Sequence, residues 1–264
     1  MAQSSTSPRA SDNAFNTGDF AFDCASVKKN WAHLHQGDCE ALPEEAAVLQ
    51  AWVLFHNGEF QAAAQAGIEA GGNGITVANK ATSIYATYLE AKESTRLALF
   101  LEVASRAEAQ QALDPDNANA WYWQAYALGR YSQNISVAQA LAQGVACKAK
   151  LALKQTIRLS PRHADAHIAL ATYHAEVIDK VGALIAGMTY GAKKDIGLSL
   201  YQAGLKLHPG SALGMMEYAN GLVMLEGDKS MPQATALYEQ AAASQPADAT
   251  EQLDVDMARA GLRD

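Results

Sequence analysis

Four prolines in the second half of the chain each end one apolar segment, and an alanine soon begins the next. The prolines are Pro115, Pro161, Pro209 and Pro246. The alanines are Ala118, Ala164, Ala212 and Ala249. Proline has no backbone N–H and cannot continue a helix, so each one indicates a helix end followed by a turn. The pattern predicts a series of repeated helical units.

The composition favours helices over strands. Of the 264 residues, 49% are hydrophobic and only 8% are aromatic, because Ala and Leu supply most of the apolar share. These two residues are strong helix formers, whereas strands favour β-branched and aromatic side chains. We therefore predict an all-α fold, an α-solenoid of antiparallel helix pairs in which some helices are lengthened.

Small residues recur in each unit where two paired helices must approach closely. The last unit shows the spacing most clearly. Its small residues are Ala234 and Ala241, and Tyr238 and Pro246 fall at the other spacings of the repeat. The pattern resembles the tetratricopeptide repeat (TPR) family over residues 44–248. The resemblance implies repeats at about 44–76, 77–117, 118–163, 164–211 and 212–248. The longer intervals between the first three prolines require lengthened helices, or an inserted element, around residues 129–149 and 176–197.

The resemblance also suggests how the chain is divided. We expect a single solenoid domain over residues 26–262, in which residues 249–262 form a capping helix. A solenoid end must present a polar outer face, which is why terminal caps are expected. Residues 1–25 are polar and rich in Ser near their start, and we expect them to be disordered or loosely ordered.

A narrower resemblance covers about 118–248, from Gly129 through the segment Glu217–Leu222. This part is similar to bacterial relatives of the regulator of microtubule dynamics family. More distantly, it resembles the TatT component associated with TRAP transporters. The TatT resemblance implies that the chain binds a hydrophobic ligand.

Charge and hydropathy exclude several classes of protein. The net charge of -8 is unsuited to the phosphates of nucleic acid. The longest apolar run, near residues 181–190, is far shorter than the roughly 20 residues that span a membrane. No apolar signal segment precedes Asn13, and we expect a cytoplasmic protein. Its cysteines, Cys24, Cys39 and Cys147, are expected to be reduced, with a Cys24–Cys39 bridge as the alternative.

Three histidines suggest a metal site. His163, His167 and His174 have helical spacing, and Glu176 is near. Imidazole and carboxylate groups bind transition metals, so a metal-dependent hydrolase is one hypothesis. Two of these histidines occupy packing positions of the repeat, and we expect a structural role instead. No catalytic signature is found elsewhere, so we predict a protein that is not an enzyme and carries no cofactor.

Glycines at Gly182, Gly187 and Gly191 have the spacing of a helix–helix packing contact. We expect such a contact, with a groove that admits a ligand as the alternative.

The first helix of each pair lines the concave side of such a solenoid, and this side is the expected binding surface. Its predicted partner-binding residues are Trp52, Tyr122, Tyr126, Arg130, Ile168, Thr172, Glu176, Met216 and Asn220. Aromatic residues, Met and Arg are enriched at interaction hot spots. We therefore predict a scaffold that holds a peptide or an amphipathic helix of a partner protein. A binder of a hydrophobic small molecule or lipid is the alternative.

Overall fold

The computed structural model describes residues 17–136, 139–140 and 143–263. We number its longer helices α1 to α12 in chain order. They are α1 (Cys24–Leu34), α2 (Ala46–His56), α3 (Phe60–Ala70), α4 (Gly74–Tyr88), α5 (Glu93–Leu113), α6 (Ala118–Gln133), α7 (Val145–Leu159), α8 (Ala164–Val181), α9 (Lys194–Leu207), α10 (Ala212–Glu226), α11 (Met231–Ala242) and α12 (Ala249–Gly261). These ranges contain no β-strand.

The helices pack as hairpins in sequence order. The pairs are α2–α3, α4–α5, α6–α7, α8–α9 and α10–α11. Each pair also packs against the next one, through α3 with α4, α5 with α6, α7 with α8, and α8 and α9 with α10. This arrangement confirms the all-α solenoid. Helix α8 reaches Val181, within one of the two regions where we expected lengthened helices or an inserted element, and an insertion at residues 182–191 follows it.

The turn after each proline contains the residue that caps the next helix. The caps are Asn117, His163, Ser211 and Asp248, and each side chain accepts a backbone N–H three residues later. Such a cap satisfies one of the backbone donors that a helix start leaves without a partner. The local sequence therefore determines where α6, α8, α10 and α12 begin.

The last helix returns to the first repeat. Ala249 and Leu253 of α12 belong to the same apolar cluster as Trp52 and Phe55 of α2. Asp248 pairs with the imidazole Nδ1 of His56 at 2.7 Å, which ties the start of α12 to α2. As a result, α12 lies against the concave face of the first repeat rather than only capping the far end.

Residues 35–40, which we call the crossing segment, run across the first helices of the repeats. Asp38 forms an ion pair with Lys80 of α4 at 2.6 Å, and its carbonyl accepts from Asn119 of α6 at 3.1 Å. The carbonyl of Gly37 accepts from the backbone N–H of Asp165 in α8 at 3.1 Å. A Cβ on Gly37 would lie 2.5 Å from the Asp165 carboxylate, so only glycine fits this approach without a shift.

The predicted loose segment at residues 1–25 falls largely on residues 1–16, which lie outside the described residues. The described part of this segment packs against the first repeat. The backbone N–H of Phe22 donates to Asn57 Oδ1 at 2.7 Å, and the Phe22 ring packs edge-on against His56. Helix α1 then begins at Cys24, where Asp23 and Ser26 form a capping box.

The glycines at 182, 187 and 191 do not form the expected packing contact. Gly182 has φ of 79° and ends α8, and Gly191 has φ of 60° and ends a π-helix at Ala186–Tyr190. A Cβ on Gly182 would meet no atom within 4 Å, so no helix packs closely there. The prediction was wrong because Gly182 and Gly191 provide left-handed backbone at the two ends of an insertion, residues 182–191, rather than a smooth helix face.

Candidate functional site

A pocket of about 160 Å³ lies between α6, α7, α8 and the start of α10. Its walls are mainly apolar, with Ala149 and Leu153 from α7 and Val177 from α8 among them. Polar groups surround this apolar interior at the base and at the mouth. The pocket therefore combines an apolar space with a few polar groups that could orient a ligand, as small-ligand sites do.

Six of the nine residues predicted to bind a partner line this pocket. They are Tyr122, Tyr126 and Arg130 of α6, and Ile168, Thr172 and Glu176 of α8. Residues four apart lie on the same side of a helix, so each set forms a stripe along its helix. The pairing of α6 and α8 as first helices of neighbouring repeats brings the two stripes face to face.

The other three predicted residues lie elsewhere. Trp52 is fully buried beside α1, and Met216 is buried in a cluster with Val255 of α12. Asn220 is exposed and accepts a hydrogen bond from the Tyr238 hydroxyl at 2.9 Å. Because α1 and α12 pack over their positions, Trp52 and Met216 line no part of the pocket, and the candidate site excludes them.

The Arg130 guanidinium is held in place at the pocket wall. It pairs with Glu217 of α10 at 3.2 Å and lies 5.2 Å from the centre of the Tyr126 ring. The Thr172 hydroxyl donates to the other oxygen of Glu217 at 3.1 Å. Three helices thus share one ion pair, which fixes its position more firmly than a lone surface pair.

Glu176 lies at the mouth, where its carboxylate accepts from Gln133 Nε2 at 2.6 Å. Burial raises the pKa of this carboxyl above its usual value, despite the hydrogen bond and the nearby Lys180. A ligand that carries a hydrogen-bond donor or a positive charge would compensate for the lost hydration of Glu176.

Asp165 forms part of the pocket base, and its pKa is raised to about 7 by burial and by the charge of Asp38. Among the described residues, no hydrogen-bond donor or cation lies within bonding distance of its carboxylate. A buried carboxylate without a nearby donor or cation is costly to keep ionised. The base of the pocket therefore favours a ligand that donates a proton or a hydrogen bond.

Sequence reasoning missed Asp165 and its counterpart Asn119, although a signal was present. Asp165 precedes Ile168 by three residues, and Asn119 precedes Tyr122 by three. Residues three apart also share a helix face, so extending each predicted stripe by one turn would have included both.

The crossing segment is anchored beside the pocket by a buried charged group. Lys80 lies 5.5 Å from the ring centre of Trp52 and 5.0 Å from that of Phe55. Burial opposes the charges of Lys80 and Asp38, yet their pairing raises the pKa of Lys80 and holds the pKa of Asp38 well below its ordinary value. Both groups therefore stay ionised inside the protein.

The histidines have structural partners. His163 accepts from the Ala166 N–H through Nδ1 at 3.1 Å, so its Nε2–H donates to Asn119 Oδ1 at 3.0 Å. Burial lowers the pKa of His163 to about 4, which keeps the ring neutral. His174 Nδ1 accepts from the Lys193 N–H at 2.8 Å. In the part of the chain that the structure describes, no three His, Cys, Asp or Glu residues are grouped as a metal site.

The three cysteines are unpaired, so the alternative Cys24–Cys39 bridge is not formed. Among the described helices, none combines the length and the hydropathy needed to cross a bilayer.

Comparison with known proteins supports the fold. No protein-family model matches the chain, and no curated protein matches it. Among solved structures, it is similar to the crystal structure of TTC0263, a thermophilic TPR protein in Thermus thermophilus. The TM-score is 0.58 at 15% sequence identity, and the match covers 83% of this chain and 100% of that one. At this identity the likeness concerns the fold alone, and it shows that this chain has a TPR-like fold.

Proposed function

We propose that this chain is a non-enzymatic binding scaffold that holds a segment of a partner protein at the pocket between α6, α7, α8 and α10. The observation that carries the proposal is the convergence of Tyr122, Tyr126, Arg130, Ile168, Thr172 and Glu176 around one cavity. TPR-like folds are commonly scaffolds for protein interactions, which fits this assignment.

The size of the cavity limits what it can hold. At about 160 Å³, it is close to the size of an engineered cavity that binds benzene. One apolar or aromatic side chain fits such a space, whereas a whole amphipathic helix does not. We therefore propose an extended peptide that inserts a single anchor side chain.

The charges around the pocket suggest which peptides are preferred. Asp165, Glu176 and Glu217 supply carboxyl groups, and Arg130 and Lys180 supply the cations. Because Arg130 is already paired with Glu217, the groups that remain for a ligand are mostly acceptors. A peptide with a basic residue beside its apolar anchor matches this arrangement.

A variant that fills the cavity tests the proposal. Gly129 lines the pocket, and a Cβ at this position would meet no atom within 4 Å. Gly129→Leu should therefore occupy the cavity without distorting α6. Gly210→Leu is the matched control, because Gly210 lies outside the pocket and also has free space around its Cβ.

The measurement is affinity purification from the native source with the wild type and both variants, followed by calorimetry with a synthetic peptide from each recovered protein. A partner that binds the wild type and Gly210→Leu should lose at least about tenfold in affinity for Gly129→Leu. Equal binding of that partner by all three proteins would contradict the proposed site.

A second candidate function is the binding of a hydrophobic small molecule, which the apolar walls and limited size of the cavity favour. Native mass spectrometry of protein purified from its own source separates the two. A retained small ligand that is absent from Gly129→Leu supports this second function. The cytoplasmic location and the bacterial branch suggested by the sequence stay predictions.

A further inference from the structure

Three large apolar side chains project from the insertion at residues 182–191. Leu184 is 75% exposed, Ile185 is 54% exposed and Met188 is 81% exposed. The insertion begins at Gly182 and ends at Gly191, and both have positive φ, so it stands apart from the helix that precedes it. Exposed apolar residues scattered singly are normal, but three within five residues on one turn indicate an interaction surface.

Basic residues lie beside this turn. Lys150 of α7 donates a hydrogen bond to the carbonyl of Tyr190 and places α7 directly against the insertion. On the same side of α7, Lys154 and Arg158 are exposed, together with Leu151 at 67% exposure. The apolar turn and the basic face of α7 therefore form a continuous surface, which we call the basic–apolar face.

The charge of this region differs from that of the rest of the chain. The chain carries a net charge of -8, yet no Asp or Glu occurs between Asp116 and Asp165, or between Asp179 and Asp195. The acidic residues that flank the insertion in the sequence are Asp179 and Asp195, and Glu226 is paired with Lys194 at 2.8 Å. The cations on α7 itself have no carboxylate partner among the described residues.

We propose that the basic–apolar face docks on an anionic membrane surface. Leu184 and Met188 project mostly into solvent, which suits insertion among lipid headgroups, and the cations beside them have no carboxylate partner among the described residues. Lysines beside such side chains are attracted to anionic lipids, and apolar insertion adds to that attraction. The proposal is independent of the occupant of the pocket, although Val181 and Tyr190 link the insertion to the pocket mouth.

Flotation of the full chain with lipid vesicles tests this proposal. The vesicles are phosphatidylcholine alone, or phosphatidylcholine mixed with an equal part of phosphatidylglycerol. We expect the protein to float with the anionic vesicles, to stay behind with the neutral ones, and to detach as the salt concentration rises.

Two pairs of substitutions locate the contact. Lys154→Glu/Arg158→Glu should weaken binding by at least about fivefold for each cation, and Leu184→Ser/Met188→Ser by at least about tenfold. The matched controls are Lys28→Glu/Lys29→Glu on exposed positions of α1, and Leu113→Ser at a site that is 89% exposed on α5. Both controls should bind like the wild type.

Absence of flotation with anionic vesicles at low salt would overturn the proposal, as would equal losses in the variants and their controls. If Leu184→Ser/Met188→Ser changes the oligomeric state and the wild type does not bind vesicles, the face is instead an interface between copies of this chain. Failure of this test leaves the Gly129→Leu test of the pocket unaffected.

Discussion

The first and third repeats carry equivalent aromatic residues, yet their surroundings differ. Trp52 of α2 and Tyr126 of α6 hold the same position in their repeats, and the first is enclosed by α1 and α12. Tyr126 instead contributes to a pocket that remains accessible. The comparison teaches that a repeat position predicts which helix face a residue occupies, but not whether another part of the chain covers that face.

The two regions also differ in how their charges are arranged. The half of the molecule that α1 and α12 cover, which we call the covered half, contains the pair of Lys80 and Asp38. Their side chains are 12% and 2% exposed, and the pair fastens the crossing segment. The pocket half contains the partly exposed pair of Arg130 and Glu217. A buried pair is costly to break because its surviving charge is left without solvent, whereas a partly exposed one is less so. We therefore expect perturbation of the covered half to affect stability more.

The largest effect should come from Lys80→Met, which leaves the Asp38 carboxylate buried without its cation. We expect the free energy of unfolding to fall by about 3–5 kcal/mol, measured by urea denaturation. Lys154→Met is the control, since Lys154 is exposed and its replacement should change stability by less than about 0.5 kcal/mol. The double variant Lys80→Met/Asp38→Asn should recover part of the loss. Equal stability of Lys80→Met and the control would show that the crossing segment is not held by this pair.

The next effect is a fall in stability as the pH rises. Burial raises the pKa of Glu40 and of Asp254 to about 8, so both are protonated in the folded protein at neutral pH. In the unfolded chain these carboxyls ionise near pH 4. Their stabilising contribution is therefore complete below about pH 4 and is lost as the pH rises to about 8.

At lower pH, two histidines make the free energy of unfolding fall as the pH falls. Burial lowers the pKa of His35 and of His163 to about 4, so below about pH 6.5 the unfolded chain takes up protons that the folded protein does not. Between pH 6.5 and 8 the carboxyls with raised pKa values dominate. Each one that is still protonated in the folded protein should lower the free energy of unfolding by up to about 1.4 kcal/mol per pH unit, and Asp165 and Glu251, with pKa values of about 7, add to this effect at the lower end of the range.

Urea denaturation at several pH values between 6.5 and 8 measures this slope. Glu40→Gln should make the fall in stability with pH less steep, because glutamine keeps an acceptor for Asn119 but does not titrate. Glu69→Gln, on the exposed end of α3, should leave it unchanged. A stability that rises over this range would contradict the assigned protonation states.

A smaller difference in stability should separate the loss of hydrogen bonds in the covered half from the loss of those in the pocket half. Asn119→Ala removes bonds to Asp38, Glu40 and His163 in the covered half, and should cost about 1–3 kcal/mol. Tyr126→Phe removes the bond to the Thr87 hydroxyl and the interaction of the Tyr126 hydroxyl with Arg130, and should cost about 0.5–1.5 kcal/mol. Both values come from thermal or urea unfolding of single variants. The comparison fails if Tyr126→Phe costs more than Asn119→Ala.

The smallest effect should be a gain in stability. Gly129→Ala adds a Cβ into free space within α6 and lowers the entropy cost of the helix. We expect an increase of about 0.5–1 kcal/mol in the free energy of unfolding, measured by urea denaturation. Gly221→Ala is the contrasting control, because its Cβ would clash with the Tyr201 ring and should destabilise the protein. A loss of stability in Gly129→Ala would mean that the pocket has less room than the structure shows.

The pocket itself shows how far prediction reached. Tyr122, Tyr126 and Arg130 were predicted to face the same way from their four-residue spacing alone, and they do line one cavity. Trp52 and Met216 were predicted by the same rule and lie outside the pocket, because helices distant in the sequence pack over them. Asp165 was missed although it precedes Ile168 by three residues and so extends the predicted stripe of α8 by one turn. The pairing of Asp38 with Lys80 could not be inferred, since no local pattern relates a loop to a helix so far along the chain.

The sequence by itself determined the helices and their order. Prolines end the helices, side chains such as Asn117 and Ser211 cap the next ones, and small residues let neighbours approach, all through contacts within a few residues. Only the tertiary structure decided which part of the concave face stays open. That choice depends on where the crossing segment and α12 dock, and docking of distant segments depends on shape, burial and charge that no local spacing records.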